Sequence, residues 1–263
     1  MAILDLFRLT GQVAIVTGAG RGIGAAIARA YAEAGADVVV GARTIEQIER
    51  TAAEVRGLGR RALAVPCDVM REEQLATLVE RTLAEFGRID ILVNNAGGYP
   101  PNAALNTSVK ELEAAFRFNV SSAFEATRLA VPHIVATAGG GSVLNISSVA
   151  GRFTGPFFAA YGTSKAALSF LTQELAQEFA PKIRVNAIAV GATKTDALTT
   201  VLTPEIEKTM VDMTPMARLG EVEDVAACAL YLASPAASYV TGEVLAVSGG
   251  LNTLSMKLPR AFD

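Results

Sequence analysis

The chain has 263 residues, 51% of them hydrophobic, with a formal net charge of -3, two cysteines and one histidine. Interspersed charges with no basic run exclude a nucleic-acid or polyanion partner, and no apolar stretch reaches the ~18 residues of a membrane span. Cys67 and Cys228 stand too far apart, in apolar surroundings, to suggest a disulfide framework or a metal site, so both read as buried inert thiols and His133 as structural. The opening Met1-Ala2-Ile3-Leu4-Asp5-Leu6-Phe7-Arg8 carries early charge and no signal-peptide layout, which predicts a cytoplasmic protein.

Short β-branched runs alternate with Ala-rich segments of helical period along the chain. The first run, Val13 to Thr17, leads into Thr17-Gly18-Ala19-Gly20-Arg21-Gly22-Ile23-Gly24, which opens a helix reaching Gly35. Glycines there permit a tight turn and close backbone approach, and a helix N-terminus directs N–H groups at a pyrophosphate. The spacing is Gly-x-x-x-Gly-x-Gly, not the Gly-x-Gly-x-x-Gly of the usual dinucleotide fingerprint. The second run, Asp37 to Gly41, ends in Ala42-Arg43-Thr44. A carboxylate there would accept from the ribose 2′-hydroxyl of NAD. Arg43 stands in its place and Arg21 adds a second guanidinium, a pair suited to a 2′-phosphate, so NADP is expected over NAD. The third run, Ala62 to Val65, is followed by Cys67-Asp68-Val69, where Asp68 and Val69 can meet an adenine. From position alone, Asp68 serves equally as a cap for the helix over Arg71 to Gly87.

The fourth and fifth runs are Ile89 to Val93 and Ser142 to Ile146, with Ser148 presented just past the latter at the strand's tip. Thirteen residues on, Tyr161-Gly162-Thr163-Ser164-Lys165 lies in a helical segment. A four-residue offset places phenol and ammonium on one helical face. An ammonium beside a phenol favours the phenolate; bringing a phenol from ~10 to ~7 takes about 4 kcal/mol of differential stabilisation. Such a tyrosine exchanges a proton with a carbonyl or alcohol oxygen near neutral pH. The sixth run is Ile183 to Ala189, then Gly191 to Pro215 reads as helical, poorly packed and a candidate lid. The seventh is Val244 to Val247, and residues from Leu251 to Asp263 read as a tail. Near-continuous apolar runs alternating with helices predict an α/β fold, a single-domain, doubly wound parallel sheet covered on both faces, its core at about residues 10–250. No linker, low-complexity tract or fixed-period repeat divides it.

These motifs together resemble the short-chain dehydrogenase/reductase family. The family's Asn-Asn-Ala-Gly motif stands as Asn94-Asn95-Ala96-Gly97, its helix Asn as Asn119, and its Ser, Tyr and Lys as Ser148, Tyr161 and Lys165 at the family's spacing. The resemblance implies a seven-stranded Rossmann-type sheet and a dimer or, more commonly, a homotetramer. It implies Tyr161 as acid/base, Lys165 lowering its pKa and bonding the nicotinamide ribose, Ser148 holding the substrate oxygen, and Asn119 anchoring a water that links Lys165 to solvent. Asn95, Ala96, Gly97, Gly191, Thr193 and Thr195 join Gly18, Arg21, Gly22, Ile23, Gly24, Arg43, Asp68 and Val69 around the cofactor. Ser147 lies one residue off and should face the other side of the strand. One departure is Ala189-Val190-Gly191, where the family usually has Pro-Gly; losing the proline frees φ at residue 190 and leaves an N–H to place.

Tyr99, Pro100, Pro101, Val149, Phe153, Phe157, Phe158, Leu198 and Met210 are expected to wall a pocket without a charged anchor, which fits an apolar ketone or secondary alcohol. Phe157 and Phe158 fit packing against a second subunit equally well. Thr195 to Gly250 is similar to the bacterial 7α-hydroxysteroid dehydrogenase branch, notably Thr203-Pro204-Glu205-Ile206-Glu207 and Ser234-Pro235-Ala236-Ala237-Ser238. Alternatives are a 3-oxoacyl-thioester reductase and a non-catalytic NADP-binding sensor, the latter disfavoured by the intact Asn119, Ser148, Tyr161 and Lys165.

Overall fold

A computed structural model describes residues 2–199 and 202–251. In chain order the elements are β1 (Val13–Thr17), α1 (Gly22–Glu33), β2 (Asp37–Ala42), α2 (Ile45–Gly57), β3 (Ala62–Pro66), α3 (Glu72–Phe86), β4 (Ile91–Asn94), α4 (Val109–Phe116), α5 (Ser122–Ala138), β5 (Gly141–Ser148), α6 (Ala159–Phe179), β6 (Ile183–Val190), α7 (Asp196–Thr199), α8 (Pro204–Met213), α9 (Val222–Ala233) and β7 (Val244–Val247). The strands form one seven-stranded sheet in the order β3-β2-β1-β4-β5-β6-β7, and every pairing is parallel. The order reverses between β1 and β4, and ligands of open α/β sheets bind in the crevice at such a point.

Both sheet faces are covered, which is why the strands read as unbroken apolar runs. Ala14 and Val16 of β1 face a cluster with α1, α2 and α9, while Val13 and Ile15 face one with α3, α5 and α6. Small residues let α1 and α9 approach closely: Ala25, Ala26, Ala28 and Ala32 are buried on one helix, Ala226 and Ala229 on the other. Tyr31 crosses that seam and donates to the Ala229 carbonyl at 3.1 Å. Gly87, with φ 75°, ends α3 in the left-handed conformation that favours glycine.

The structure lengthens four expected strands and shifts a fifth: β2 and β3 each run one residue further, to Ala42 and Pro66, and β4 is Ile91–Asn94 where Ile89 to Val93 was expected. β5 runs on through Ser147 and Ser148, whose hydroxyls are satisfied by side-chain hydrogen bonds and so do not end the strand. β6 continues to Val190, which pairs with Ser148 on one side and Val247 on the other. The residue in the family's proline position is thus held by two strands, and the Gly191 N–H donates to the Val247 carbonyl at 2.9 Å. Within the expected lid, α7 and α8 are both present and no residue of α8 is buried. Of the expected tail, only Leu251 is among the described residues. Cys67 is buried and Cys228 half-buried, correcting the expectation for the latter; burial pushes both thiols up to about 11. His133 is exposed on α5, so it fills no core position.

Candidate active site

At the C-terminal edge of the sheet lies a cleft of about 1380 Å³, bounded by the loops after β1, β2, β3, β4, β5 and β6. One end is the glycine loop. A Cβ on Gly18 would fall 2.9 Å from Ala96 Cα, and one on Gly24 would fall 2.4 Å from Asn95 Nδ2 and 2.6 Å from the Gly18 carbonyl oxygen. The loop therefore lies flat against the turn after β4, with the N-terminus of α1 open to the cleft. Thr17 and Asn95 lock the two together. The Thr17 hydroxyl accepts from the Asn95 and Ala96 N–H groups, and Asn95 Nδ2 donates to the Thr17 and Gly18 carbonyls. A backbone cradle with no side chain in it, at a helix N-terminus, suits a dinucleotide pyrophosphate.

All the residues expected at a cofactor line this cleft: Gly18, Arg21, Gly22, Ile23 and Gly24; Arg43; Asp68 and Val69; Asn95, Ala96 and Gly97; Tyr161 and Lys165; Gly191, Thr193 and Thr195. Arg21 and Arg43 are exposed at its outer end, where Thr44 and Gln47 join them. Asp68 does not cap α3, whose N-cap is Arg71; its Oδ1 instead accepts from the Met70 N–H at 3.0 Å and tightens the turn leading there. Asn119 stands behind the cleft wall, 1% exposed, on a π turn over Arg117–Ser121 that joins α4 to α5. Its Oδ1 accepts from the Gly98 N–H at 2.8 Å.

Ser148, Tyr161 and Lys165 meet at the other end of the cleft. Ser148 Oγ accepts from the Ala150 N–H at 3.1 Å and donates to the Val190 carbonyl at 3.4 Å. The Tyr161 ring packs against Phe158, centroids 6.1 Å apart. Lys165 Nζ lies 5.9 Å from the Tyr161 ring centroid and donates to the Ile146 carbonyl at 2.7 Å. The helical spacing puts phenol and ammonium on one face as expected, but the expected electrostatic consequence differs. Burial raises the Tyr161 phenol above its ordinary value, and its hydrogen bond with Ser148 offsets this only in part. Burial alone pushes the Lys165 ammonium down to about 7. Desolvation dominates both groups because the Lys165 head is directed to a strand carbonyl and not to the phenolic oxygen. Ser147 turns the other way, as its place on the strand predicts, and donates to the Lys165 carbonyl at 3.0 Å.

The substrate end is walled by Val149, Phe153, Phe158, Leu198 and Met210, joined by Met213 and Thr214. Tyr99, Pro100, Pro101 and Phe157 do not line it, correcting those four expectations. Phe157 is 57% exposed with φ 71°, and its carbonyl accepts from the Asn102 N–H, so the loop after β4 closes onto its backbone while the ring points elsewhere. The sequence reading also missed Arg152, which lines the cleft while its guanidinium donates to the Val244 carbonyl. It missed a buried polar chain beneath the site as well. Asn94 Nδ2 donates to Asn145 Oδ1 at 2.9 Å and Asn145 Nδ2 to Thr172 Oγ1 at 2.9 Å, tying β4 to β5 and β5 to α6. A polar residue inside an otherwise apolar strand is the signal that marks Asn145. Among the described residues there is no cluster that could hold a metal ion, and no helix long and apolar enough to cross a membrane.

Residues 18–252 match the family model described as enoyl-(acyl carrier protein) reductase. The chain is 49% identical over 258 residues to an uncharacterized oxidoreductase of Mycobacterium tuberculosis, covering 98% of each. It is 43% identical over 247 residues to the 7α-hydroxysteroid dehydrogenase of Escherichia coli, covering 94% of this chain and 96% of that one. A solved 7α-hydroxysteroid dehydrogenase complexed with NADH and 7-oxo glycochenodeoxycholic acid superposes with a TM-score of 0.92 at 43% identity, over 95% of this chain and 98% of the other. With a parallel seven-stranded sheet, a nucleotide cradle and a Ser–Tyr–Lys floor in one cleft, the chain belongs to the short-chain dehydrogenase/reductase family, nicotinamide-dependent oxidoreductases acting on CH–OH groups.

Proposed function

We propose that the protein is an NADP(H)-dependent enzyme that interconverts a secondary alcohol and a ketone on an apolar substrate such as a hydroxysteroid, with Tyr161 as acid/base. The observation that carries this reading is the meeting of Ser148, Tyr161 and Lys165 on the floor of the cleft whose far end is the glycine cradle. A bound nicotinamide supplies or accepts the hydride at the substrate carbon. In reduction, Tyr161 gives its phenolic proton to the ketone oxygen while the Ser148 hydroxyl donates to the same oxygen. Lys165 bonds the nicotinamide ribose and offsets the charge left on the phenolate. Asn119 acts from behind the wall, anchoring a water that returns the proton from solvent through Lys165. A phenol held above its ordinary value is protonated at neutral pH, which suits the donor role; oxidation needs the phenolate and gains as pH rises.

Two features support NADP over NAD. No carboxylate stands in Ala42-Arg43-Thr44, and neither Arg21 nor Arg43 has a carboxylate partner among the described residues. One similar solved structure holds NADH and another holds NADP, so the preference rests on this chain's own arginines. A homotetramer in the cytoplasm completes the reading. A subunit interface is supported by Phe116 of α4, Phe124 of α5 and Phe170 of α6, exposed at 44%, 43% and 62%.

The test is NADPH and NADH oxidation over a panel of steroid ketones, 3-oxoacyl thioesters and small diketones. Turnover of a steroid ketone, abolished by Tyr161→Phe with NADPH affinity retained, is the expected result. Turnover confined to 3-oxoacyl thioesters replaces the substrate class with the one closer to the family model's description. Tight NADPH binding without turnover of any of them replaces the enzyme with a cofactor-binding sensor.

A further inference from the structure

Among the described residues two that are not glycine have positive φ, Phe157 at 71° and Ala217 at 51°. Both lie in loops that border the substrate end of the cleft. Phe157 follows Phe153, Thr154 and Gly155, which line it, and the Ala217 N–H donates to the carbonyl of Thr214, which also lines it. A bulky side chain rarely adopts this left-handed backbone, and such strain persists only where the surroundings hold it. The Phe157 ring is 57% exposed and outside the cleft lining, so the ring does not supply the hold. The backbone does: the Phe157 carbonyl accepts from the Asn102 N–H at 2.9 Å, a bond that latches the loop after β5 to the loop after β4. Phe158 is fixed separately as the N-cap of α6, its carbonyl accepting from the Gly162 N–H at 2.7 Å. With the helix start fixed, the dihedral at Phe157 decides the path of the chain before it, the stretch from Phe153 to Gly155.

We infer that Phe157 is a positioning residue for the substrate, acting through its backbone: its left-handed turn, latched by the Asn102 N–H, holds Phe153, Thr154 and Gly155 along the substrate end of the cleft. The inference rests on the proposed reduction of an apolar ketone there. A residue that refuses positive φ breaks the latch and lets this wall move, so the loss falls on ketone affinity. The loop after β4 is locked to Thr17 at its start, through the Asn95 and Ala96 N–H groups, so the nucleotide end keeps its shape. Tyr161 and Lys165 lie on α6 beyond the fixed Phe158, so the proton-transfer groups keep theirs.

The experiment compares Phe157→Val with Phe157→Gly and Phe157→Asn, by steady-state kinetics with the best ketone of the panel and fluorescence titration of NADPH. Glycine and asparagine accept positive φ and β-branched valine does not, so the series separates backbone conformation from loss of the ring. Phe157→Val is expected to raise KM for the ketone about tenfold, with kcat and NADPH affinity unchanged within about twofold. Phe157→Gly and Phe157→Asn lose the same ring and should keep KM within about twofold of the parent chain. If Phe157→Val does not fold, Asn102→Pro takes its place, because proline lacks the donating N–H, with Asn102→Ala as the control that keeps it. Asn102→Pro should then raise KM and Asn102→Ala should not. Equal losses in all three Phe157 variants would assign the effect to the ring and overturn the inference. An unchanged KM, or a loss confined to thermal stability, overturns it too, and each of these leaves the proposed function standing. Unimpaired turnover by Tyr161→Phe overturns both.

Discussion

Lys165 carries a titratable ammonium into a buried position, where it donates to the Ile146 carbonyl, and the cost of that burial appears in stability as well as chemistry. Its pKa falls from an ordinary value near 10.5 to about 7 on folding. Between those values the unfolded chain binds a proton that the folded chain does not, so stability contributed by this group rises with pH from about 7 upward. Cys67 and Cys228 act in the opposite sense: their raised values let the folded chain keep protons that the unfolded chain loses above pH ~9. Urea denaturation without added cofactor should therefore show stability increasing between pH ~7 and ~8.5 and levelling or falling beyond ~9. Lys165→Met should flatten the lower part of that curve; an unchanged slope in the variant would show that Lys165 is charged in the folded chain. At Gly97 the constraint is steric. Gly97→Ala drives a methyl against Asn119 Oδ1 and Lys165 Nζ, side-chain ends that can shift only by loosening their bonds to the Gly98 N–H and the Ile146 carbonyl, and should cost about 1–3 kcal/mol of stability together with most of the turnover. Thermal melting and kcat measured on the same preparation check both.

At the scale of elements, the chain of Asn94, Asn145 and Thr172 joins β4, β5 and α6 beneath the three groups that meet in the cleft. Asn94 and Asn145 sit directly opposite each other in the β4–β5 ladder. Asn145→Ala removes the bonds to Asn94 and Thr172 and leaves a cavity, while Asn94 Nδ2 keeps the Thr127 hydroxyl at 3.1 Å and the Ala123 carbonyl at 3.3 Å. Stability should therefore fall by about 1–2 kcal/mol in urea denaturation; a change below ~0.5 kcal/mol would mean that those remaining partners and repacking replace the lost bonds. This chain of bonds also shows what the sequence could and could not reveal. Strand positions were legible because helices on both faces demand unbroken apolar runs, and β1, β2, β3 and β7 begin where those runs begin. Strand ends were less so: Ser147, Ser148 and Val190 extend β5 and β6 through polar or unexpected residues, because their hydrogen bonds come from side chains and strands distant in sequence. Tyr161 and Lys165 were legible as neighbours through helical periodicity, yet the direction of the phenol's shift was not, because it depends on where the Lys165 head points. The pocket wall failed for a similar reason. Phe157 and Phe158 are adjacent in sequence, but the left-handed backbone at Phe157 turns one ring outward and leaves the other against Tyr161.

Over the whole molecule the charge is slightly negative, and its distribution matters more than its sum. Most arginines are tied to carboxylates elsewhere, as Arg60 is to Asp37, Arg88 to Asp90 and Arg218 to Asp224. Arg21 and Arg43 are among the described arginines without a carboxylate partner, and they stand together at the outer end of the cleft, so a weakly acidic protein presents a local cationic rim at the end where the proposed cofactor's 2′-phosphate would lie. Both are exposed, and exposed charges are screened by salt over a Debye length of ~10 Å at 0.1 M and ~3 Å at 1 M. In the proposed binding mode NADPH would bring a 2′-phosphate to that rim and NADH would not. Raising ionic strength from ~0.05 to ~0.5 M should therefore weaken NADPH several-fold more than NADH, read by fluorescence titration of each cofactor. Arg43→Asp should reproduce the same selectivity at constant salt, lowering NADPH affinity by ten-fold or more while NADH changes by less than about threefold, because a carboxylate there repels a phosphate and accepts from a ribose hydroxyl. Equal sensitivity of the two cofactors to salt and to this substitution would place the 2′-phosphate away from Arg43 and remove the basis for the NADP preference.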